Sequence, residues 1–419
     1  MSFFKRDSLN IFQNKEFRLF IYTRFLLTLA IQMQFSTIYL QVYYEYSKNE
    51  LMLGFIGLSE AVPFILTSLF SGHIADTLPK RRILLLGILL LILGAVFLIL
   101  NAMPRVQLLH HLGLYALFSI VFVFGITRSF LASSSNPFLS QLIPRAQYAN
   151  AATWNSTAWH TACILGPVAS GLIYAYSTHY KAAICHFVEL LLFTGAFIQL
   201  FRIKNKGLPQ LNTISESIFK SMREGLGFVY KSKMILSAIS LDLFAVLFGG
   251  AVALIPAFTD KILHLGPEAY GLLRTAPAIG AVVMAGIMVF YPPGRKAGRA
   301  LLWSVIAFGL FTIGFALSKN YWLAFTMLFL TGAFDNVSVV VRHSILQLMT
   351  PDNMRGRVSA INNIFIGSSN EIGAFESGLA ARIMGLVPSI VFGGAMTIGV
   401  VLGINKINPG LRKLDISKL

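Results

Sequence analysis

Charge and cysteine are both scarce in this chain. Only 12% of its 419 residues are charged, whereas about 25% is usual for a soluble domain. The two cysteines, Cys163 and Cys185, fall within long apolar stretches, which argues against a disulfide framework or a metal site. The phosphate-binding pattern GxxxxGK[ST] is missing, which argues against work driven by ATP. We therefore expect no cofactor, no metal and no catalytic set.

Apolar residues, by contrast, make up 56% of the chain. Several apolar runs exceed the roughly 18 residues that indicate a membrane-spanning helix. Breaks at proline, glycine and charge divide these runs into twelve predicted helices, so the expected fold is an all-α protein in a lipid bilayer. We number them spans 1 to 12: 17–42, 51–75, 82–101, 110–135, 149–176, 181–201, 234–259, 267–290, 300–318, 321–346, 357–382 and 386–405.

The net charge of +17 is distributed over the short gaps between the apolar runs. Because it forms no continuous face, it argues against a nucleic-acid partner. With the N-terminus inside, 25 lysines and arginines fall in inner segments and six in outer loops. Cytoplasmic loops are enriched in these residues, so both termini are predicted to be cytoplasmic.

The polar stretch 202–233 separates two predicted halves, residues 1–201 and 234–419. Within it, Ile218, Met222, Leu226 and Val229 recur at helical spacing. Thr213 and Glu216 have the spacing of a capping box. This pattern predicts an amphipathic linker helix on the inner face of the membrane.

The two halves repeat each other at an offset of 207 residues. The matched residues are Gly125 and Gly332, Pro144 and Pro351, Asn155 and Asn362, Gly166 and Gly373, and the tripeptides starting at Ser170 and Ser377. Seven identities in one register indicate a duplication. Parallel six-span repeats with the substrate site between them are one way in which transporters are built.

The loop after span 2 resembles the signature of the major facilitator superfamily. The family pattern G-x-x-x-D-R-x-G-R-R is matched by Gly72, Asp76 and the cations Lys80, Arg81 and Arg82, with departures at Thr77 and Pro79. The resemblance implies that Gly72 lets span 2 approach a neighbour closely. It also implies that Asp76 faces the start of span 11, with Arg355 and Arg357, in an inner gate.

Further stretches resemble the branch of the superfamily that contains enterobactin and macrolide exporters. They are Gly125–Arg128 with Pro137 and Pro144, Ala149–Ala151, and Asp242 followed by Leu254–Ala257. This resemblance implies a secondary transporter that exports a small amphiphilic, siderophore-like or drug compound. An uptake carrier and a lysophospholipid-flipping carrier of the same fold remain open alternatives.

Ionisable side chains within spans are costly, so they usually face a cavity or a partner. Glu60 in span 2, Arg128 in span 4, Asp335 in span 10 and Glu371 in span 11 are of this kind. Arg128 and Asp335 occupy equivalent repeat positions, which favours a switchable pair or a substrate anchor, with a static buried ion pair as the alternative. Polar residues of spans 5 and 11 complete the candidate path: Asn155, His160 and Asn362.

The interpretation is a monomeric, multi-pass transporter of a bacterial inner membrane, not an enzyme. It would exchange its small-molecule substrate for protons by alternating access, with Glu60, Asp335 or Glu371 as the proton carrier. His186 and Glu189 lie on span 6, an outer helix in this fold. They are therefore expected to face lipid or to pack structurally. Asp242, near the inner end of span 7, is expected to cap or pair structurally, and a functional role is the alternative.

Overall fold

The computed structural model describes residues 11–103, 107–208, 218–291, 294 and 296–415. The predicted all-helical fold is confirmed, and each predicted span coincides with a helix. The helices of spans 1 to 6 are Lys15–Gln41, Glu50–Thr77, Lys80–Ala102, Gln107–Leu142, Tyr148–Tyr176 and Lys181–Phe201. Those of spans 7 to 12 begin with Lys233–Phe248 and continue with Pro267–Phe290, Ala297–Leu317, Tyr321–Met349, Asp352–Met384 and Leu386–Ile407.

Ten helices of the described residues are long and apolar enough to cross a membrane. The other two long helices are spans 5 and 11, with 29 and 33 residues. At about 1.5 Å per residue both exceed the thickness of a bilayer core, so their length suffices. They are less apolar because polar side chains recur along them, which is typical of helices that face a water-filled path.

The helices group into two compact units. The first unit holds Met1–Gln41 and Val62–Ser215, and the second holds Val42–Ala61 and Glu216–Leu419. In the first unit span 1 packs on spans 5 and 6, and span 3 packs on spans 4 and 6. In the second unit span 7 packs on spans 11 and 12, and span 9 packs on spans 10 and 12. The same pairings therefore recur six spans later, as the sequence repeat requires.

Two repeat-related glycines show why the duplicated positions matter. A Cβ atom at Gly166 of span 5 would lie 2.9 Å from the backbone nitrogen of Met33 in span 1. A Cβ atom at Gly373 of span 11 would lie 2.8 Å from the carbonyl oxygen of Val246 in span 7. Real Cβ atoms do not come this close to backbone atoms, so each unit depends on glycine at this crossing.

Span 7 departs from the continuous helix that its sequence predicts. Its α-helix ends at Phe248, a 3₁₀ turn covers Ala251–Leu254, and a short helix runs from Ile255 to Lys261. Gly249 and Gly250 lie at the break, and a Cβ atom at Gly250 would lie 2.8 Å from the carbonyl oxygen of Gly373. The break thus coincides with close backbone packing against span 11.

Within the predicted linker stretch, a helix runs from Ile218 to Lys231. Its buried Val229 joins an apolar cluster formed with residues of spans 7, 9, 10, 11 and 12. The helix therefore packs on the second unit through its apolar face. The predicted capping box, Thr213 with Glu216, lies outside the described residues.

Candidate transport site and gates

An acidic cavity lies among spans 7, 9 and 10 of the second unit. Its polar lining residues are Asp242, Ser304, Asp335 and Ser338. Asp335 and Ser338 are three residues apart and share one face of span 10. The predicted path residue Asp335 thus shares a cavity with Asp242, for which a structural role was favoured over a functional one.

Asp242 also forms an ion pair with Arg342, one helical turn beyond Ser338 on span 10. Asp242 is 6% exposed and Arg342 is 3% exposed. Arg342 lies near the end of the helix Tyr321–Met349 that contains predicted span 10. Breaking a buried pair by removing one partner costs about 3–5 kcal/mol, so this pair holds spans 7 and 10 together.

Arg128 lines a cavity of the first unit, together with Gln34 of span 1. Its guanidinium lies 5.4 Å from the ring centroid of Phe64, within cation–π range. Gln34 is 1% exposed, and its Nε2 atom has no hydrogen-bond partner among the described residues. The remaining lining is apolar: Ile31, Phe35, Leu91, Phe124 and Leu131.

Arg128 and Asp335 therefore occupy cavities of different units. Each lies on a helix that the repeat places at the equivalent position in its half. Their predicted pairing remains a prediction.

The first half of span 2 packs directly on span 11 within the second unit. A Cβ atom at Gly57 would lie 2.5 Å from the carbonyl oxygen of Glu371. Glu60, 2% exposed, lies one helical turn further along span 2 on the same side of the helix. The structure thus brings the two predicted proton carriers Glu60 and Glu371 to the same helix crossing.

Ionic contacts surround the start of span 2 in the second unit. Asp260, in the last turn of span 7, accepts hydrogen bonds from the hydroxyl of Tyr43 at 2.9 Å and from Nζ of Lys48 at 2.9 Å. Lys261 donates to Oε1 of Glu50 at 2.6 Å. We call these five residues the 42–61 clamp, because they fix the segment 42–61 to the end of span 7. No pattern in the sequence indicates these contacts.

The signature residues of the loop after span 2 have separate surroundings. A Cβ atom at Gly72 would meet no described atom within 4 Å, so the close approach expected there is absent from this conformation. Asp76 is exposed. Arg81 has a structural contact, because its guanidinium donates to the carbonyl oxygen of Phe201 at 2.5 Å. It therefore caps the C-terminal end of span 6.

Arg357, a predicted partner of Asp76, is bonded to the linker helix. Its Nη1 atom donates to Oε2 of Glu224 at 2.5 Å. A Cβ atom at the neighbouring Gly225 would lie 3.1 Å from Cβ of Arg357. Close helix packing therefore brings the two charges together.

The polar residues predicted on spans 5 and 11 remain candidate path residues. The repeat-related Asn155 and Asn362 each have a buried Oδ1 atom without a hydrogen-bond partner among the described residues. His160 is partly buried, with its ring 4.8 Å from that of Trp159. An unpartnered amide oxygen in each repeat would be available to a substrate or to water.

Of the two roles expected for His186 and Glu189, the structure contradicts the lipid-facing one and agrees with structural packing. Both side chains are 0% exposed and bond to each other inside the first unit. A signal was present in the sequence, because Thr37, Gln41 and Ser170 place polar groups in the spans that pack against them. Periodicity alone did not show which faces meet.

Comparison with known proteins identifies the family. The family described as transmembrane secretion effector matches residues 12–417. The chain belongs to this family of the major facilitator superfamily. The family and its relatives are membrane transporters and not enzymes, so this chain is a multi-pass membrane transporter.

Two relatives are siderophore transporters by name. The transporter is 22% identical over 385 residues to the staphyloferrin A transporter of Staphylococcus aureus, with 88% of this chain and 91% of the relative covered. It is 24% identical over 343 residues to the enterobactin exporter EntS of Shigella boydii, with 79% and 77% covered.

Solved structures agree with the fold. A POT family transporter superimposes with a TM-score of 0.75 at 12% identity, covering 95% of this chain and 96% of that one. The nucleoside transporter NupG gives 0.73 at 11% identity, covering 94% and 100%. At such identities the likeness concerns the fold alone.

Proposed function

We propose that this transporter exports a small amphiphilic, siderophore-like compound across a bacterial inner membrane in exchange for protons. The observation that carries the proposal is the cavity in which Asp335 and Asp242 lie together inside the helices of the second unit. A carboxyl group in such a place can bind and release a proton as its surroundings change. Glu60 and Glu371, at the crossing of spans 2 and 11, are the other carriers in this scheme.

The side chains around Arg128 support the proposed substrate class. One partly buried cation and the amide of Gln34 lie among five apolar side chains. Such a lining suits a compound with an anionic group and an apolar body. The names of the staphyloferrin A and enterobactin relatives support a siderophore-like compound.

The contacts at the two ends of span 2 would act as gates. In this scheme the 42–61 clamp holds one side shut, and Asp76 with Arg355 and Arg357 holds the other side shut in the alternate state. Alternating access requires that each set breaks while the other forms. A monomer with both termini in the cytoplasm would suffice for this cycle.

Reconstitution into vesicles tests the proposal. Purified transporter is placed in proteoliposomes with an imposed pH gradient, and uptake of enterobactin, staphyloferrin A, a macrolide and a fluorescent lysophospholipid is measured. We expect accumulation of a siderophore against its own gradient only when the pH gradient is present and oriented for exchange. Accumulation with the pH gradient reversed would indicate an uptake carrier. Movement of the lysophospholipid alone would indicate a flipping carrier and overturn the proposal.

A further inference from the structure

A short segment after span 12 folds back against the second unit. The side-chain amide of Asn408 donates to the carbonyl oxygen of Lys233 at 3.2 Å. The backbone nitrogen of Gly298 donates to the carbonyl oxygen of Leu414 at 3.3 Å. The segment 408–414 therefore joins the start of span 7 to the start of span 9, and we call it the C-terminal clip.

Buried contacts hold the C-terminal clip in this position. Leu411 is 0% exposed and belongs to the apolar cluster that also contains Val229 of the linker helix. Gly298 makes room for the clip, because a Cβ atom there would overlap with the carbonyl oxygen of Leu411. Asn408 makes a further hydrogen bond, to the hydroxyl of Ser237 at 3.0 Å. The clip is thus a packed part of the fold.

The clip gathers exposed cations from the neighbouring ends of helices. We call the following seven residues the basic surface: Lys231, Lys233, Lys296, Arg299, Lys406, Arg412 and Lys413. None of their side chains forms an ion pair or a hydrogen bond with a described residue. A 3₁₀ turn at Leu411–Lys413 keeps the clip short, since such a turn rises about 2 Å per residue. Residues 408–413 therefore span about 10 Å, which is close to the Debye length in physiological salt.

Acidic residues are too few to neutralise the basic surface. The stretches 225–237, 296–300 and 406–415 contain one acid, Asp415, beside the seven cations. Glu224, which precedes the first stretch, is already bonded to Arg357. An excess of exposed cations on one face attracts an anionic partner.

Exposed apolar side chains border the basic surface. Trp303 is 67% exposed and lies one helical turn from Arg299 on the same side of span 9. Ile407 is 83% exposed and directly follows Lys406. Tryptophan is enriched where acyl chains meet headgroups. This arrangement matches a phospholipid, whose anionic headgroup would contact the cations while its acyl chains contact the apolar side chains.

We propose that the C-terminal clip and the basic surface around it form a binding site for the headgroups of acidic phospholipids. Topology depends on how many cations lie on each side of the membrane, whereas a headgroup site requires that the cations be held together. The clip supplies this grouping. In the proposed orientation the site faces the cytoplasmic leaflet, whose acidic lipids attract basic segments. It is separate from the proposed transport path and depends on neither the substrate nor the coupling ion.

Quenching of Trp303 fluorescence by brominated lipids tests the site. The full-length transporter is placed in nanodiscs of phosphatidylglycerol and phosphatidylcholine in equal amounts, with bromine on the acyl chains of one lipid or the other. The signal of Trp303 is the difference between the wild type and Trp303→Phe. We expect brominated phosphatidylglycerol to quench Trp303 at least about twofold more than brominated phosphatidylcholine, and high salt to remove this preference. Equal quenching by the two lipids would overturn the proposal.

Charge variants separate the site from the total charge of the protein. Arg299→Gln combined with Arg412→Gln removes two exposed cations of the basic surface and should abolish the preference. Lys15→Gln combined with Arg18→Gln removes two exposed cations of the first unit and should retain it. An equal loss in both double variants would indicate a response to total charge and contradict the proposal. Loss of the preference with inorganic phosphate, but not with sodium chloride at the same ionic strength, would assign the surface to free phosphate instead of lipid.

Gly298→Ala tests the grouping of the cations at constant charge. The new methyl group would overlap with the carbonyl oxygen of Leu411, so the clip has to move while every cation remains. Faster hydrogen exchange of residues 408–414 would report this movement, and we expect the lipid preference to be lost. Gly286→Ala, where no described atom lies within 4 Å of the new methyl group, should keep the preference. A preference retained in Gly298→Ala would show that the cations act without the clip and overturn the proposal.

Discussion

Arg357 at the start of span 11 donates to Glu224 of the linker helix at 2.5 Å. The residue proposed to hold an inner gate with Asp76 therefore already has a carboxylate partner in this conformation. Asp76 itself is exposed. In the proposed gate, Arg357 would therefore exchange Glu224 for Asp76 in the alternate state, so that the linker helix would compete with the signature loop.

The competition predicts opposite effects for the two acids. Asp76→Asn should fold, transport poorly and shift the population towards the state seen here, because the partner of the alternate state is lost. Glu224→Gln should shift it the other way, by about five- to 150-fold if the coupling is about 1–3 kcal/mol. Thiol labelling of engineered cysteines along span 5 measures the shift. Arg223→Gln, which changes an exposed neighbour of Glu224, is the control and should not shift the population. A population shift in the same direction in Asp76→Asn and Glu224→Gln would contradict the competition.

The 42–61 clamp predicts a smaller effect for Asp260→Asn. This change weakens the bonds to Tyr43 and Lys48 together. The Lys48 side chain is 59% exposed, and exposed pairs contribute only about 0.2–1 kcal/mol. We expect up to about a fivefold increase in labelling near the start of span 2, reproduced in the wild type by high salt. Lys319→Gln, which removes an exposed cation outside the clamp, should cause no increase in labelling. Wild-type labelling in Asp260→Asn would show that the clamp does not set the population of the two states.

The repeat-related glycines predict a stability difference. Gly373→Ala would place a methyl group 2.8 Å from the carbonyl oxygen of Val246. Overpacking of this kind costs about 1–3 kcal/mol, so the melting temperature in detergent should fall, and Gly166→Ala should behave in the same way. Gly286→Ala, where no described atom lies within 4 Å of the new methyl group, should melt at or above the wild-type temperature. Equal melting temperatures for Gly373→Ala and Gly286→Ala would contradict the prediction that only position 373 is too closely packed for a methyl group.

The sequence predicts the fold well because membrane spans and a duplication both leave local patterns. Apolar length places the helices, and the offset of 207 residues predicts the equivalent crossings of Gly166 and Gly373. The break in span 7 is not predicted from Gly249 and Gly250, because glycine is also frequent within continuous membrane helices. Only packing against span 11 distinguishes them.

The candidate site was predicted only in part. Asp335 and Glu371 could be found because charge within an apolar run is rare. Their neighbours could not be found, since the face on which Asp242 or Glu189 lies depends on how helices cross. The ion pair of Arg342 with Asp242 could not be predicted for the same reason, because the two residues are 100 positions apart along the chain.

The proposed orientation predicts which loops an impermeant thiol reagent reaches in intact cells. The 25 to 6 division of cations places the loops at Thr178 and Lys319 outside and the segment at Arg412 inside. All three side chains are exposed in the structure, and Cys163 and Cys185 are buried. Single cysteines at Thr178 and Lys319 should be labelled, and one at Arg412 should react only after permeabilisation. Labelling of the Arg412 cysteine in intact cells would reverse the orientation.

The last prediction concerns energy coupling through the path acids. A proton carrier must be neutral in one state and charged in the other, and a carboxyl group that alternates between burial and the approach of an arginine meets this requirement. Asp335 lies in the cavity that also holds Asp242, and Glu60 lies at the crossing with Glu371.

Neutralising at least one of the three acids, as Asp335→Asn, Glu60→Gln or Glu371→Gln, should abolish flux driven by a pH gradient while enterobactin or staphyloferrin A still binds. Arg128→Ala should reduce both binding and flux, because the cation is also proposed to hold an anionic group of the substrate. Vesicle flux with and without a pH gradient separates these outcomes, and Lys319→Gln provides the matched charge change outside the path. If all three acid variants still accumulate the siderophore against its gradient when only a proton gradient is supplied, these carboxyl groups are excluded as the carriers. Coupling would then have to pass through groups outside the proposed path.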